Sequence, residues 1–325
     1  MQSTGSKPVL EKHMSRVAVL DLGTNTFHLL IADIGRDQSF HVLFRAEEFV
    51  SLGEEGVERI GDLAFQRGIE QIRKYKTVID DLKPERIIGF GTAAIRKSSN
   101  GEEFVRAVKE IIPMDLKKIS GDEEAELIYQ GVRRAVRLDE HPALIMDIGG
   151  GSTEFIIASK NTVFWKQSFP VGGSVLRQRF HQREPISAIE QVNLIHYLQH
   201  ELEPLMLQLK QYPVKRLIGA SGSFDTMAQM IAENIYSRPL DAGSTCTEIS
   251  LRDFYIFCDK VIRANREERV NMKGLIWYRV DTIVPASILA GYVVESAHVH
   301  HITRSAYALK EGALWQLMQS PASEL

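Results

Sequence analysis

Asp21-Leu22-Gly23-Thr24-Asn25-Thr26 follows the apolar run Val17-Ala18-Val19-Leu20 and precedes a second one, Phe27-His28-Leu29-Leu30-Ile31-Ala32. The pattern returns as Ala143-Leu144-Ile145-Met146, then Asp147-Ile148-Gly149-Gly150-Gly151-Ser152, then Thr153-Glu154-Phe155-Ile156-Ile157-Ala158. Each copy reads as a strand, an Asp, a turn rich in Gly and in hydroxyl or amide side chains, and a return strand. Small turn residues let backbone N–H groups approach an anion, and successive N–H groups make an anion nest. One such turn is a hairpin; two facing turns are a phosphate clamp.

The repeat extends outward from the turns. A third strand follows each hairpin, over 40–46 and over Val163–Phe169, and then a helical stretch, over 63–82 and over 188–209. Each helix leads to another strand and small-residue turn, Arg86-Ile87-Ile88-Gly89-Phe90-Gly91-Thr92-Ala93 and Arg216-Leu217-Ile218-Gly219-Ala220-Ser221-Gly222-Ser223. A repeat of this length is a duplicated domain and not a solenoid of short units. Between the halves, Ser120 and Glu123 fit a capping box and predict a helix from there through Arg137, followed by the linker Leu138-Asp139-Glu140-His141-Pro142. Residues 306–319 read as a final helix, and residues 1–14 as a polar lead-in without an apolar signal core.

A chain of 325 residues favours two domains, and 44% hydrophobic with 25% charged residues is ordinary for a globular protein. The net charge of −3 provides no global basic field, so neither nucleic acid nor membrane is an expected partner and any anion site is local. The longest apolar stretch, 283–294, contains Pro285 and falls short of the ~20 residues that span a bilayer. Two cysteines, Cys246 and Cys258, suit a reducing compartment, and the expectation is a soluble cytoplasmic protein.

Thr24, Asn25, Thr26, Ser152 and Thr153 add side-chain donors to the backbone of Gly23, Gly149, Gly150 and Gly151. Asp21 and Asp147 end their strands. An Asp there commonly bonds turn amides, but beside a phosphate clamp a pair of carboxylates also suits Mg²⁺, held directly or through water. By strand alternation Glu154 shares the face of Ser152 and joins them as a metal-side candidate, an outward-facing residue being the other reading. Asp122-Glu123-Glu124 opens the inter-half helix, where acidic residues commonly serve the dipole; alternatively an ionised Glu124 there orients water and accepts its proton. Arg96, after Gly91-Thr92-Ala93-Ala94-Ile95, either grips phosphate or caps a helix. Ser221 and Gly222 allow close approach to a phosphate or merely form a tight turn. His298, His300 and His301 lack a metal-ligand pattern and read as surface or interdomain residues. Arg263, Arg266, Arg269 and Lys273, like Arg133, Arg134 and Arg137, read as solvated faces, with a polyanion groove as the alternative.

Taken in order, these segments resemble the exopolyphosphatase/guanosine pentaphosphate phosphatase family of the actin-like, sugar-kinase-like ATPase superfamily. The resemblance runs from about Arg16 to the C-terminus. It rests on the two Asp-Gly turns, Gly91 to Arg96, Ile119 to Ala125, Gly219 to Ser223, Arg279-Val280-Asp281-Thr282-Ile283-Val284-Pro285-Ala286 and Ala308-Leu309-Lys310-Glu311-Gly312. It implies an α/β fold of two duplicated ribonuclease H-like (actin-like ATPase) domains with an interdomain cleft. The first spans 14–128 plus a returning C-terminal helix in 306–325, and the second spans 129–305. It implies that Glu124 is the catalytic glutamate, reversing the dipole reading. It also implies that Asp147 and Glu154 lie beside metal and phosphate, and that Arg96 lines the cleft.

The implied activity is release of the terminal phosphate of polyphosphate, or of the 5′ terminal phosphate of guanosine pentaphosphate, with Mg²⁺ or another divalent cation; the sequence leaves the oligomeric state open, a homodimer being one candidate assembly. Longer relatives carry further helical domains that help bind long polyphosphate, so highly processive action is not expected here. Ser305-Ala306-Tyr307 stands where many relatives have Asp-Gly before Ala-Leu, implying a local difference in that turn. Two other classes remain open at this point: a kinase of the same superfamily, and a nucleotide-binding sensor.

Overall fold

Two mixed sheets carry the repeat in the computed structural model, which describes residues 15–35, 39–241 and 243–319; the lead-in expected over 1–14 lies outside the described residues. The first half runs β1 (Ser15–Leu22), β2 (Thr26–Ile34), β3 (Phe40–Phe49), α1 (Asp62–Leu82), β4 (Arg86–Gly91), α2 (Ala93–Lys97), α3 (Gly101–Ile111), β5 (Asp115–Lys118) and α4 (Gly121–Ala135). The second runs β6 (Ala143–Ile148), β7 (Thr153–Ala158), β8 (Val163–Phe169), α5 (Gly173–Phe180), α6 (Ala188–Glu201), α7 (Glu203–Gln211), β9 (Arg216–Ala220) and α8 (Ser221–Ile235). It continues through β10 (Cys246–Ile249), α9 (Leu251–Arg263), α10 (Arg266–Val270), α11 (Ile283–Ser296), β11 (His301–Ser305) and α12 (Leu309–Gln319).

The sheet orders are β3-β2-β1-β4-β5 and β10-β11-β9-β6-β7-β8. In each, the strand before the glycine turn pairs antiparallel with its hairpin partner and parallel with the strand after the long helical stretch. This is the ribonuclease H-like arrangement, present twice. Even the irregularities repeat: the second and third strands shift register at Ile31/Ala32 in one sheet and at the equivalent Ile157/Ala158 in the other. β10 is an additional antiparallel edge strand beside β11.

Alternation decides which way the aspartates face. Val17 and Val19 of β1, and Ala143 and Ile145 of β6, share one core with α4 and α12. Ala18, Leu20 and Leu22 face α1 and α3, while Leu144, Met146 and Ile148 face the helices outside the second sheet. Side chains two apart share a face. Asp21 and Asp147 therefore continue the inner rows, at the ends where the strands open into their turns.

The inner layer is closed by two helices packed unusually near each other. A Cβ on Gly312 would lie 1.8 Å from the Leu127 carbonyl oxygen, and one on Gly131 would lie 2.0 Å from that of Ala308. Only hydrogen fits at either place, and this lets α12, at the far end of the chain, lock against α4. Gly312→Ala is expected to force the helices apart and lower unfolding stability by about 1–3 kcal/mol, read as a lower urea midpoint. An unchanged midpoint would mean that the contact yields freely.

Some sequence expectations change. The helix expected over 188–209 is two helices broken at Leu202, because Pro204 lacks the N–H that would continue the first. The helix expected through Arg137 ends at Ala135. A division at 128/129 would fall inside α4, whose residues belong to the core that both sheets share. Cys246 and Cys258 are free, as expected. Among the described residues no helix is long and apolar enough to cross a membrane.

Candidate active site

The two repeated turns close in the same way. Gly23 N–H donates to the Thr26 carbonyl at 3.0 Å, and Gly149 N–H donates to that of Ser152 at 3.0 Å. The turns also meet. A Cβ on Gly150 would lie 2.7 Å from Asn25 Cγ, and one on Gly151 would lie 2.7 Å from Thr24 Oγ1. Ser174 Oγ donates to Asn25 Oδ1 at 2.9 Å, which ties the first turn to α5 of the second half.

One cleft runs between the turns. Asp21, Gly23, Thr24, Asn25, Thr26, Glu124, Asp147, Gly149, Gly150, Gly151, Ser152, Glu154, Ser221 and Gly222 all line it. Glu124 enters from the first turn of α4, whose start is fixed by a capping box between Ser120 and Glu123. Ser221 has φ 62, a left-handed conformation rare for a residue with a side chain. Its hydroxyl donates to Asp147 Oδ2 at 2.5 Å. In this strained form Ser221 lines the cleft with its hydroxyl bonded to the aspartate.

Two sequence candidates are not cleft-lining. Thr153 lies on the outer row of β7, fully buried, and its hydroxyl donates to the Val171 carbonyl at 3.0 Å. The same alternation that turns Glu154 inward turns Thr153 outward. Arg96 stands behind the cleft wall: its Nη1 donates to Glu124 Oε2 and to the Ile119 carbonyl, both at 2.9 Å. Arg96 thus holds Glu124, an engagement that neither reading of the sequence, phosphate grip or helix cap, gives it.

Several cleft residues were not singled out from sequence: His28, Arg45, Glu47, Asp225, Tyr278, Arg279, Lys310 and Glu311. Alternation along β2 would have found His28, which shares the inner row of Leu30 and Ala32. Arg279 and Lys310 stand in two of the segments that carry the resemblance, but no local pattern marks them as cleft residues, since they reach the cleft from far along the chain. Of the weaker sequence signals, Arg269 departs most from expectation. It is fully buried, with Nη2 on Glu184 Oε1 at 2.8 Å and Nε on the Val280 carbonyl at 3.0 Å, and so braces the segment that carries Arg279.

The lining contains seven carboxylates, Asp21, Glu47, Glu124, Asp147, Glu154, Asp225 and Glu311, against three cations, Arg45, Arg279 and Lys310. Four of the acids are paired: Glu47 with Arg279, Glu124 with Arg96, Asp225 with Arg304 and Glu311 with Arg45. Asp21, Asp147 and Glu154 have no ion pair among the described residues. Burial pushes Asp21 and Asp147 each up to about 6, opposed by Lys310 at Asp21 and chiefly by the Ser221 hydroxyl at Asp147. Burial, with the Asp147 charge added, pushes Glu154 up to about 7, although Ser168 and Ser152 donate to its Oε1 at 2.6 and 2.7 Å. Burial and the neighbouring Glu154 also raise Glu124 well above the ordinary glutamate range, while Arg96 pulls it down. The cleft therefore gathers negative charge that it only partly compensates, next to two turns able to donate hydrogen bonds to an anion.

A model of the Ppx/GppA phosphatase family matches residues 30–321. A solved exopolyphosphatase from Cytophaga hutchinsonii is 37% identical, with a TM-score of 0.90, and the match covers 94% of this chain and 98% of that one. A Haemophilus influenzae protein with an exopolyphosphatase name is 29% identical over 313 residues, which are 96% of this chain and 94% of that protein. The guanosine-5′-triphosphate,3′-diphosphate pyrophosphatase of Photobacterium profundum is 25% identical over 93% of this chain, which spans only 59% of that protein.

Proposed function

The chain belongs to the Ppx/GppA phosphatase family, and from that premise we propose that it releases the terminal phosphate of inorganic polyphosphate by in-line attack of water. The observation that carries the reading is the position of Glu124, a buried carboxylate held by Arg96 at 2.9 Å and opening on the cleft between two anion-binding turns. Polyphosphate is preferred to guanosine pentaphosphate because the relatives with exopolyphosphatase names match this chain over nearly their whole length.

In this reading the turns at Gly23–Thr26 and Gly149–Ser152 receive the phosphate oxygens. The turn amides that do not close the turns stabilise charge that spreads over those oxygens as the bond to the leaving phosphate lengthens. Glu124 orients the water and takes its proton. Phosphoryl transfer asks little covalent chemistry of the protein, so positioning and electrostatics are the greater part of its contribution.

The donor set fits a divalent cation shared with substrate. Asp21, Asp147 and Glu154 supply hard carboxylate oxygens without ion pairs, yet no three His, Cys, Asp or Glu residues converge on one point among the described residues. Mg²⁺ is commonly held by one or two carboxylates together with substrate phosphates and water. When bound, such an ion offsets the negative charge of both cleft and polyphosphate. The two free thiols suit a reducing cytoplasm.

Arg96 gives a separate prediction. It opposes the rise in the Glu124 pKa, so its removal lets that pKa climb further. A base with a higher pKa becomes ionised only at higher pH. Arg96→Met is therefore expected to move the acid limb of the kcat profile to higher pH; an acid limb in the wild-type position would detach Arg96 from the base. The function itself is tested by incubation with short polyphosphate and Mg²⁺, expected to yield orthophosphate and chains one unit shorter. Phosphorylated sugar formed from ATP and a hexose, with no orthophosphate from polyphosphate, would instead indicate a kinase.

A further inference from the structure

We infer that Lys310 is a phosphate-binding residue of the reaction, a fixed positive charge that the cleft reserves for the substrate. The inference rests on the hydrolytic reading above and assigns a role that neither the turns nor Glu124 fills.

The first observation is a comparison of cations. Arg45, Arg279 and Lys310 are the lysines and arginines lining the cleft. Arg45 is engaged by Glu311 at 2.9 Å and Arg279 by Glu47 at 2.7 Å. No carboxylate of the described residues lies within ion-pair distance of Lys310. A cation kept in a cleft rich in acids, yet bonded to none of them, retains its hydrogen-bonding capacity for an incoming anion. Its ammonium carries three donors and suits phosphate as a point charge.

The second observation is how firmly Lys310 is placed. It stands in the first turn of α12, next to Glu311. Buried Glu311 accepts from Arg45 Nη2 at 2.9 Å and from the Ala308 N–H at 3.0 Å, which fixes the start of the helix. The Gly131 and Gly312 contacts then clamp α12 to α4, and α4 carries Glu124 at its own start. Lys310 and Glu124 thus share one rigid support.

Pre-positioned charge of this kind acts on the phosphoryl oxygens without reorganising during the reaction, and loss of one such donor typically costs ~10²–10³-fold in rate. Lys310→Gln is expected to reduce kcat/KM for tripolyphosphate, with Mg²⁺ saturating, by about a hundredfold. Lys310→Arg should recover most of the loss, and the melting temperature of both variants should stay near wild type. Calorimetric titration with tripolyphosphate in the presence of Mg²⁺ supplies a readout apart from turnover, and the Gln variant should bind at least about tenfold more weakly. If the wild type binds tripolyphosphate without hydrolysing it and Lys310→Gln still weakens binding, the hydrolytic reading fails while the assignment of a phosphate ligand stands. If the Gln variant keeps both wild-type affinity and wild-type turnover, Lys310 is not a phosphate ligand. A loss that Arg fails to recover, accompanied by a lowered melting temperature, would assign it to the fold instead.

Discussion

Glu124→Gln is expected to lower phosphate release from polyphosphate by about 10²–10⁴-fold, the range set by loss of a general base. Gln keeps the size of the side chain and an oxygen that can accept from Arg96, but it cannot take a proton from water. The fold should not suffer. Burial and the nearby Glu154 already disfavour the charged form of Glu124, so removing that charge relieves an electrostatic strain. Loss of turnover with an unchanged or raised melting temperature is therefore the expected signature. A variant that turns over at near the wild-type rate would remove Glu124 from the chemistry, and one that melts well below wild type would assign it to structure.

Asp147→Asn should produce two large effects of opposite sign. Activity falls, because a cleft carboxylate suited to holding a cation against phosphate is gone; a loss of at least about a hundredfold is expected, in line with the energetic weight of such electrostatic contacts. Metal-free stability near pH 8 rises. The pKa of Asp147 in the folded protein is raised to about 6 from an ordinary value of 3.8. Between those values the native state holds the proton more tightly than the unfolded chain, so the contribution of this group to stability declines as pH rises from about 4 to 6. Above that window the full cost of a buried charge is present, on the order of 2–3 kcal/mol for a shift of this size. Asn carries no such charge. In a chelator, the variant should match wild type near pH 4 and exceed it near pH 8, as read from melting temperatures across that range. A variant less stable than wild type at pH 8 would show that Asp147 is held chiefly by favourable contacts.

Much of this architecture was legible in the repeated Asp-Gly turn. Period-two alternation around Asp21 and Asp147 fixes their common inner face, and the same rule brings Glu154 inward. Applied one residue earlier, it would have removed Thr153 from the phosphate contacts, since Thr153 shares the outer row of Phe155 and Ile157. Arg96 shows where local reading ends. Its basic charge after a glycine turn suggests phosphate, but its partner Glu124 is remote in sequence and appears beside it only when α4 is placed. Lys310 and Arg279 lie further still from the turns. Their arrival depends on the return of α12 between the sheets and on the buried Arg269 behind Val280. Such long-range placement leaves little periodic trace. The run containing Arg269 reads as solvated until the fold encloses it.

The excess of acids over cations in the cleft is what gives these remote residues their weight. A polyphosphate entering this cleft meets Asp21, Asp147 and Glu154, none of them ion-paired among the described residues. The turn amides alone face that repulsion poorly, so a divalent cation bound there, together with Lys310 in the role proposed for it, would offset it. The close packing of Gly131 and Gly312 then links stability to function, because the contact that holds α12 to α4 also fixes the spacing between the proposed base and the fixed cation.

The most direct test is the initial rate of orthophosphate release by the wild-type chain with Mg²⁺, measured side by side on short polyphosphate, long polyphosphate and guanosine pentaphosphate. The expected result is release from polyphosphate one terminal unit at a time, with a lower kcat/KM on guanosine pentaphosphate. Failure to release orthophosphate from any of the three, under conditions where the protein is folded and binds them, would contradict the account.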